Sequence, residues 1–160
     1  MSYRKAVWLG AVTGLRSMTG LAALIDHASR LPLANGSHAW PEVLRSPQAV
    51  RLVRLMQLGE LVADKLPFTP NRTDAGPLLG RITIGAVVGV LASPEDRVGG
   101  AVLGGSMAAL GTVIGYRARK QLRDAYGFPD LLAALLEDMI AVNMADTIVN
   151  EPERAQQPLA

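Results

Sequence analysis

No cysteine occurs among the 160 residues, which excludes disulfides, thiolate metal sites and a cysteine nucleophile and leaves the redox compartment open. Aromatic residues make up only 4% of the chain. A water-soluble core built from bulky side chains would use more of them. Charge of one sign is also scarce, since 16 Lys and Arg face 14 Asp and Glu for a net of +2. That balance, with no basic run carrying interleaved aromatics, excludes a nucleic-acid binder. The two histidines, His27 and His38, have no third His or thiol beside them, so no metal pattern forms and a solvated surface role is expected for both. There is no Gly-x-Ser-x-Gly elbow, phosphate-binding loop or His-Glu-x-x-His pair, and the expectation is a protein that is not an enzyme and holds no cofactor. Gly99-Gly100 and Gly104-Gly105 lie inside an apolar helical run without a preceding strand, which rules out a dinucleotide loop.

Small residues are abundant instead, with 16 Gly and many Ala. Gly10 and Gly14, Gly85 and Gly89, Gly100 and Gly104, and Gly111 and Gly115 each stand four apart. Four apart is one face of a helix, and a small-residue face lets another backbone approach closely, as in membrane helix packing. The stretch Leu9-Gly10-Ala11-Val12-Thr13-Gly14-Leu15-Arg16-Ser17 returns as Leu110-Gly111-Thr112-Val113-Ile114-Gly115-Tyr116-Arg117-Ala118. A charged residue placed twice at the end of the same Gly-spaced segment points to two related halves.

In chain order, residues 6–25 form a first apolar segment of about the length that crosses a bilayer. Arg16 and the two glycines around it predict an interruption there. Pro32, Asn35-Gly36, Trp40-Pro41 and Pro47 make residues 27–47 a loop. Residues 48–66 have a helical apolar period and end at Pro67. A polar loop leads to a short apolar helix over 78–93 and a tight turn at Ser93-Pro94. The longest uncharged run, 98–116, precedes the basic cluster Arg117, Arg119, Lys120 and Arg123. A last apolar segment covers about 131–149. The basic start before the first segment lacks an Ala-x-Ala cleavage pattern and is expected to be retained.

The fold expected is all-α: a polytopic membrane bundle of about five helices, occupying residues 1–150 as a single domain with a polar tail over 151–160. Loop Lys and Arg counts favour a cytoplasmic N-terminus in a cytoplasmic (inner) membrane, with the C-terminus opposite. Two intervening helices would then set the repeated segments in opposite directions, giving an inverted-topology repeat with halves 4–67 and 96–149 around a linker helix at 78–93.

Charges inside apolar helices carry the functional expectation, because an unpaired charge in hydrocarbon costs several kcal/mol or more. Arg16 and Glu60 belong to the first half, Arg117 and Glu137 to the second. Arg16 is expected to pair with Glu60 or Glu137 and Arg117 with the other, either as a polar site or as structural locks. Glu60 with Asp64, and Asp138 with Asp146, share helix faces and suit a cation or a proton relay. The plainer reading of Asp64 and Lys65 is a solvated helix end. No metal site is assigned.

The segment Gly14-Leu15-Arg16-Ser17-Met18-Thr19-Gly20, the pairs Ala39-Trp40 and Ser46-Pro47, the block Gly59-Glu60-Leu61-Val62-Ala63-Asp64-Lys65-Leu66-Pro67, and Leu135-Leu136-Glu137-Asp138 resemble a family of small bacterial membrane proteins catalogued as domain of unknown function 4126. The resemblance covers about residues 7–149, and its most specific part is the Glu-x-x-Ala-Asp-Lys-x-Pro block. Gly59 departs from it, standing where the family often has Leu. The resemblance implies a multi-pass helical membrane protein and supplies no activity or site residues. Function is therefore expected to be that of a small transporter or channel for an ion or polar solute. The alternative is a noncatalytic scaffold or lipid-binding protein whose basic cluster meets anionic headgroups. Gly grooves left exposed would suit a homo-oligomer.

Overall fold

The computed structural model describes residues 3–30, 42–63 and 73–151, and these form six α-helices, a 3₁₀ turn and no strand. The helices are α1 (Arg4–Leu15), α2 (Thr19–Arg30), α3 (Pro47–Ala63), α4 (Ala75–Ala92), α5 (Arg97–Tyr126) and α6 (Asp130–Asn150), with the 3₁₀ turn at Glu42–Arg45 before α3. Trp40, Asp64, Lys65 and the polar tail from 152 lie outside the described residues.

The first apolar segment is two helices, not one interrupted span. Arg16 takes extended backbone angles (φ −139°, ψ 109°) where α1 ends, and the chain turns at Ser17 and Met18. Gly20 then packs against the Leu9 carbonyl and the Thr13 hydroxyl, where a side chain would collide. Both open ends of this hairpin meet the end of α6: Arg4 pairs with Glu151 at 2.8 Å, and His27 Nδ1 lies 3.3 Å from Asn150 Oδ1. Each arm has 12 residues, about 18 Å at 1.5 Å per residue, short of a hydrocarbon layer of about 30 Å. The same contacts bring the start of α1 and the end of α6 to one end of the molecule, whereas the sequence expectation set the termini on opposite sides of a membrane.

Helices α1, α4 and α5 make the centre, and glycine is what lets them meet. Gly10 faces Gly104, Gly14 faces the backbone of Ala108, Gly111 and Thr112, and Leu15 reaches Gly115, so α1 and α5 run parallel. The echoed segments therefore pack side by side in the same direction, and the inverted repeat is corrected to a parallel pair. The expectation assumed two full crossings between them, and the hairpin adds a reversal. Helix α4 lies antiparallel to α5, with Gly89 on Gly100 and Gly85 on Gly104. The Thr112 hydroxyl shares its proton between the Ala108 carbonyl (2.8 Å) and the Gly14 carbonyl (3.0 Å), the latter among those a helix end leaves unsatisfied. All four Gly pairs are buried in these contacts, so none remains to support the homo-oligomer expected from exposed grooves.

Large apolar side chains face outward, including Leu79, Val102, Ile114, Leu132 and Ile140. Helices α4 and α5 are long and apolar enough to cross a membrane, and only 22% and 39% of their apolar windows are buried in the fold. Core helices of water-soluble proteins show the opposite distribution. Outward polar groups bond their own helix: Thr83 to the Leu79 carbonyl (2.9 Å) and Thr147 to the Asn143 carbonyl (2.8 Å).

At the hairpin's open end, Asp96 caps α5 by accepting from the Gly99 amide (2.9 Å) and the Tyr3 hydroxyl (2.6 Å). The Tyr3 hydrogen bond, then the Gly99 amide, hold the Asp96 carboxyl below its ordinary range. The same bond to a carboxylate raises the Tyr3 phenol.

Candidate functional site

The hairpin tip collects the charges. Breaking the chain at Arg16 leaves the Ser17 and Met18 amides outside either helix, and a buried amide needs an acceptor. Glu60, in the last turn of α3, supplies it. Its carboxylate accepts from the Ser17 amide (2.8 Å), the Met18 amide (3.0 Å) and the Ser17 hydroxyl. Arg81 of α4 faces the same carboxylate at 3.5 Å. On the other flank of the tip, Arg16 forms an ion pair with Asp138 of α6. The side chains of Arg16, Arg81, Glu60 and Asp138 keep 4%, 6%, 12% and 14% of their exposure. Ions this buried are tolerated only when paired, since desolvation costs each several kcal/mol.

Glu60 binds the tip and Arg81, and Arg16 pairs with Asp138, the residue after Glu137. Glu137 is half-buried on the same turn, and a Cβ on Gly115 would lie 2.9 Å from its Oε1, so it packs on α5 beside Leu15. Arg117 is exposed on α5 beyond that glycine and stays out of the cluster, because only the glycine face of α5 meets α1. Nearby, Arg119 clamps Asp130 through Nε at 2.7 Å and Nη2 at 2.5 Å. Asp64 and Lys65 fall outside the described residues. Arg81 falls inside the helix expected over 78–93 and was not singled out as a site residue, although Leu78, Leu79 and Ile82 around it mark a charge inside an apolar helix.

Beside the cluster, a groove of about 180 Å³ lies between α2, α3 and α6. Thr19 and Gln57 close its inner end, joined by a hydrogen bond of 3.2 Å. Thr19 follows Met18 in sequence, and Gln57 is one helical turn before Glu60. Toward the other end stand Asp26, which pairs with Arg54, and His27 with Asn150 and Asp146. His27 thus lines this groove, whereas sequence reasoning gave it a plain surface role. Of these groove residues the sequence had singled out Asp146, paired with Asp138 on one helix face, and had named His27; the others come from three helices and share no spacing in the sequence.

No family model matches the chain, and neither a curated protein nor a solved structure does. Chemistry is limited by the groups present. Among the described residues no three His, Asp or Glu side chains gather as metal ligands. The arrangement offers a rigid, ion-paired tip and an adjacent polar groove in a body whose exterior is largely apolar.

Proposed function

We propose that this chain is a small, noncatalytic, multi-pass protein of the bacterial cytoplasmic membrane that binds a small ion or polar solute in the α2–α3–α6 groove and conducts it toward the hairpin tip. The observation that carries this reading is the position of the groove, whose inner end at Thr19 and Gln57 adjoins the residues that hold the buried charges. A polar path in an apolar exterior is expected where solute must pass. The two ion pairs serve to fix a hairpin too short to span. Outward Leu, Val and Ile side chains support the bilayer as the surrounding medium, and the resemblance to the small bacterial membrane family points the same way. The basic residues do not choose an orientation: Arg4 and Lys5 start α1, whereas Arg117 to Arg123 lie past the tip at the other end, so the asymmetry behind a cytoplasmic N-terminus is lost. That orientation stays a proposal.

Val142 is exposed on the groove wall, so Val142→Trp fills the groove without entering the core. Proteoliposomes should swell in a solute-dependent manner with the native protein, and the variant should lose most of that signal. Equal swelling for both proteins would reject the groove as a path.

A second reading, a lipid-binding scaffold, is favoured by one observation. Arg117 and Lys120 stand exposed at the end of α5 with no ion pair among the described residues, placed to meet anionic headgroups. Retention of phosphatidylglycerol that disappears in the Arg117→Gln, Lys120→Gln double variant would support it.

A further inference from the structure

The charge of the groove is uneven, and its sign identifies a ligand class. Asp26 on the α2 wall is paired with Arg54 of α3, and those two charges cancel. Asp146 of α6 accepts a hydrogen bond from Asn150 at 2.9 Å and meets no cation among the described residues. The Asn150 amide is oriented by its neighbours: its nitrogen donates to Asp146, and its oxygen faces His27 Nδ1 at 3.3 Å. Among the groove's carboxylates and guanidinium, two carboxylates stand against one guanidinium, an excess of one negative charge. Apart from Thr19 and Gln57 at its inner end, its remaining walls are apolar, namely Ala22, Ala23, Val142, Ala145 and Val149.

We infer that the groove binds a small organic ammonium ion, its charged head on the Asp146 carboxylate and its alkyl part against the Ala and Val wall. This rests on the groove being the working site. A volume of about 180 Å³ equals roughly six water molecules at about 30 Å³ each, room for an ion of a few heavy atoms. An ammonium N–H to a carboxylate is a charge-assisted hydrogen bond, among the stronger polar contacts available. Divalent metal ions want six or more oxygen ligands or a close His and carboxylate set, and no such group converges here. An anion would face the uncompensated Asp146.

Calorimetry on the purified full-length protein in detergent tests this with methylammonium and ethylammonium chloride, against sodium acetate and potassium chloride at equal ionic strength. Saturable binding is expected for the ammonium salts alone, weakened at least about tenfold by Asp146→Asn, a surface change that leaves the core intact. Absence of saturable ammonium binding, or equal affinity in Asp146→Asn, overturns the inference. The two readings fail separately. Solute-dependent swelling that Val142→Trp blocks, in a protein that binds no ammonium ion, keeps the path and removes the cation. Ammonium binding that depends on Asp146, with swelling insensitive to Val142→Trp, keeps the site and removes transport.

Discussion

Arg16, at the end of α1, and Asp138, in the middle of α6, form an ion pair in which neither side chain keeps more than 14% of its exposure. The pair ties the tip of the hairpin to α6, as Arg4–Glu151 and His27–Asn150 tie its open ends.

Breaking that pair from one side should be costly. Arg16→Ala leaves the buried Asp138 carboxylate without its guanidinium, and Asp138→Asn takes a carboxylate from Arg16; breaking a buried pair costs about 3–5 kcal/mol in comparable cases. Thermal unfolding in detergent should show a large loss for each single variant. The double variant Arg16→Met, Asp138→Leu should recover much of it, because apolar residues of similar volume need no partner. Additive losses in the double variant would show that the two residues act independently.

Glu60 differs, because it satisfies backbone amides as well as a guanidinium. Glu60→Gln keeps the shape but offers one acceptor oxygen and turns an NH₂ group toward donors, so it should destabilise by about 2–4 kcal/mol. Ser17→Ala removes only a hydroxyl and should cost about 1 kcal/mol. Unfolding of the two variants in parallel checks the order, and an equal effect would mean that the amide contacts carry little.

How much of this was legible follows from the kind of signal each feature leaves. The all-helical fold, the break near Arg16 and the four Gly faces are local patterns, and they stand in the structure. The direction of packing is not local. Nothing in Leu9 to Ser17 says that Thr19 starts a helix running backward, and one unrecognised reversal was enough to turn a parallel pair into an expected inverted repeat. Asp138 as a partner of Arg16 was not foreseen for a similar reason, because which acids of α6 reach Arg16 depends on the rotation of that helix. Arg81 was visible as a charge among apolar neighbours inside the expected helix 78–93, but its place near the start of that helix put it with the charges at the membrane surface.

Glycine substitutions separate the buried contacts from the open positions. A Cβ on Gly89 would overlap the Gly100 carbonyl, and one on Gly14 would overlap that of Ala108. Gly89→Ala and Gly14→Ala should therefore each cost several kcal/mol, since backbone on both sides must move. Gly59 lies in α3 with open space where its Cβ would go. Gly59→Ala should stabilise by about 0.5–1 kcal/mol from helix propensity alone. A loss of stability at Gly59 would contradict the open space described for it.

The Tyr3–Asp96 contact predicts a defined pH dependence. The Asp96 carboxyl titrates below its reference of 3.8 in the fold. Its contribution is present above that reference and is lost as pH falls through the lowered value. Tyr3 is raised above 10.0, so its contribution is present below pH 10 and is lost as pH rises through the raised value. Other carboxylates titrate in acid too, and comparison with Tyr3→Phe isolates this pair. The difference in melting temperature between native and variant protein should be level across neutral pH and shrink at both extremes. A difference that persists unchanged into strong alkali would remove the phenol from the argument.

The two chain ends can be tested against the bilayer directly, because the native chain has no cysteine and any introduced thiol is the sole target. Arg4 is exposed, Glu151 is half-buried, and their charged atoms are 2.8 Å apart, so a thiol at either position lies on the same face of the molecule. A membrane-impermeant maleimide added to intact spheroplasts should label Arg4→Cys and Glu151→Cys alike, both or neither. Arg117→Cys, past the hairpin tip at the other end of α5, should show the opposite behaviour. Labelling that separates Arg4→Cys from Glu151→Cys would require an odd number of crossings between them and would restore the opposed termini that the Arg4–Glu151 pair argues against.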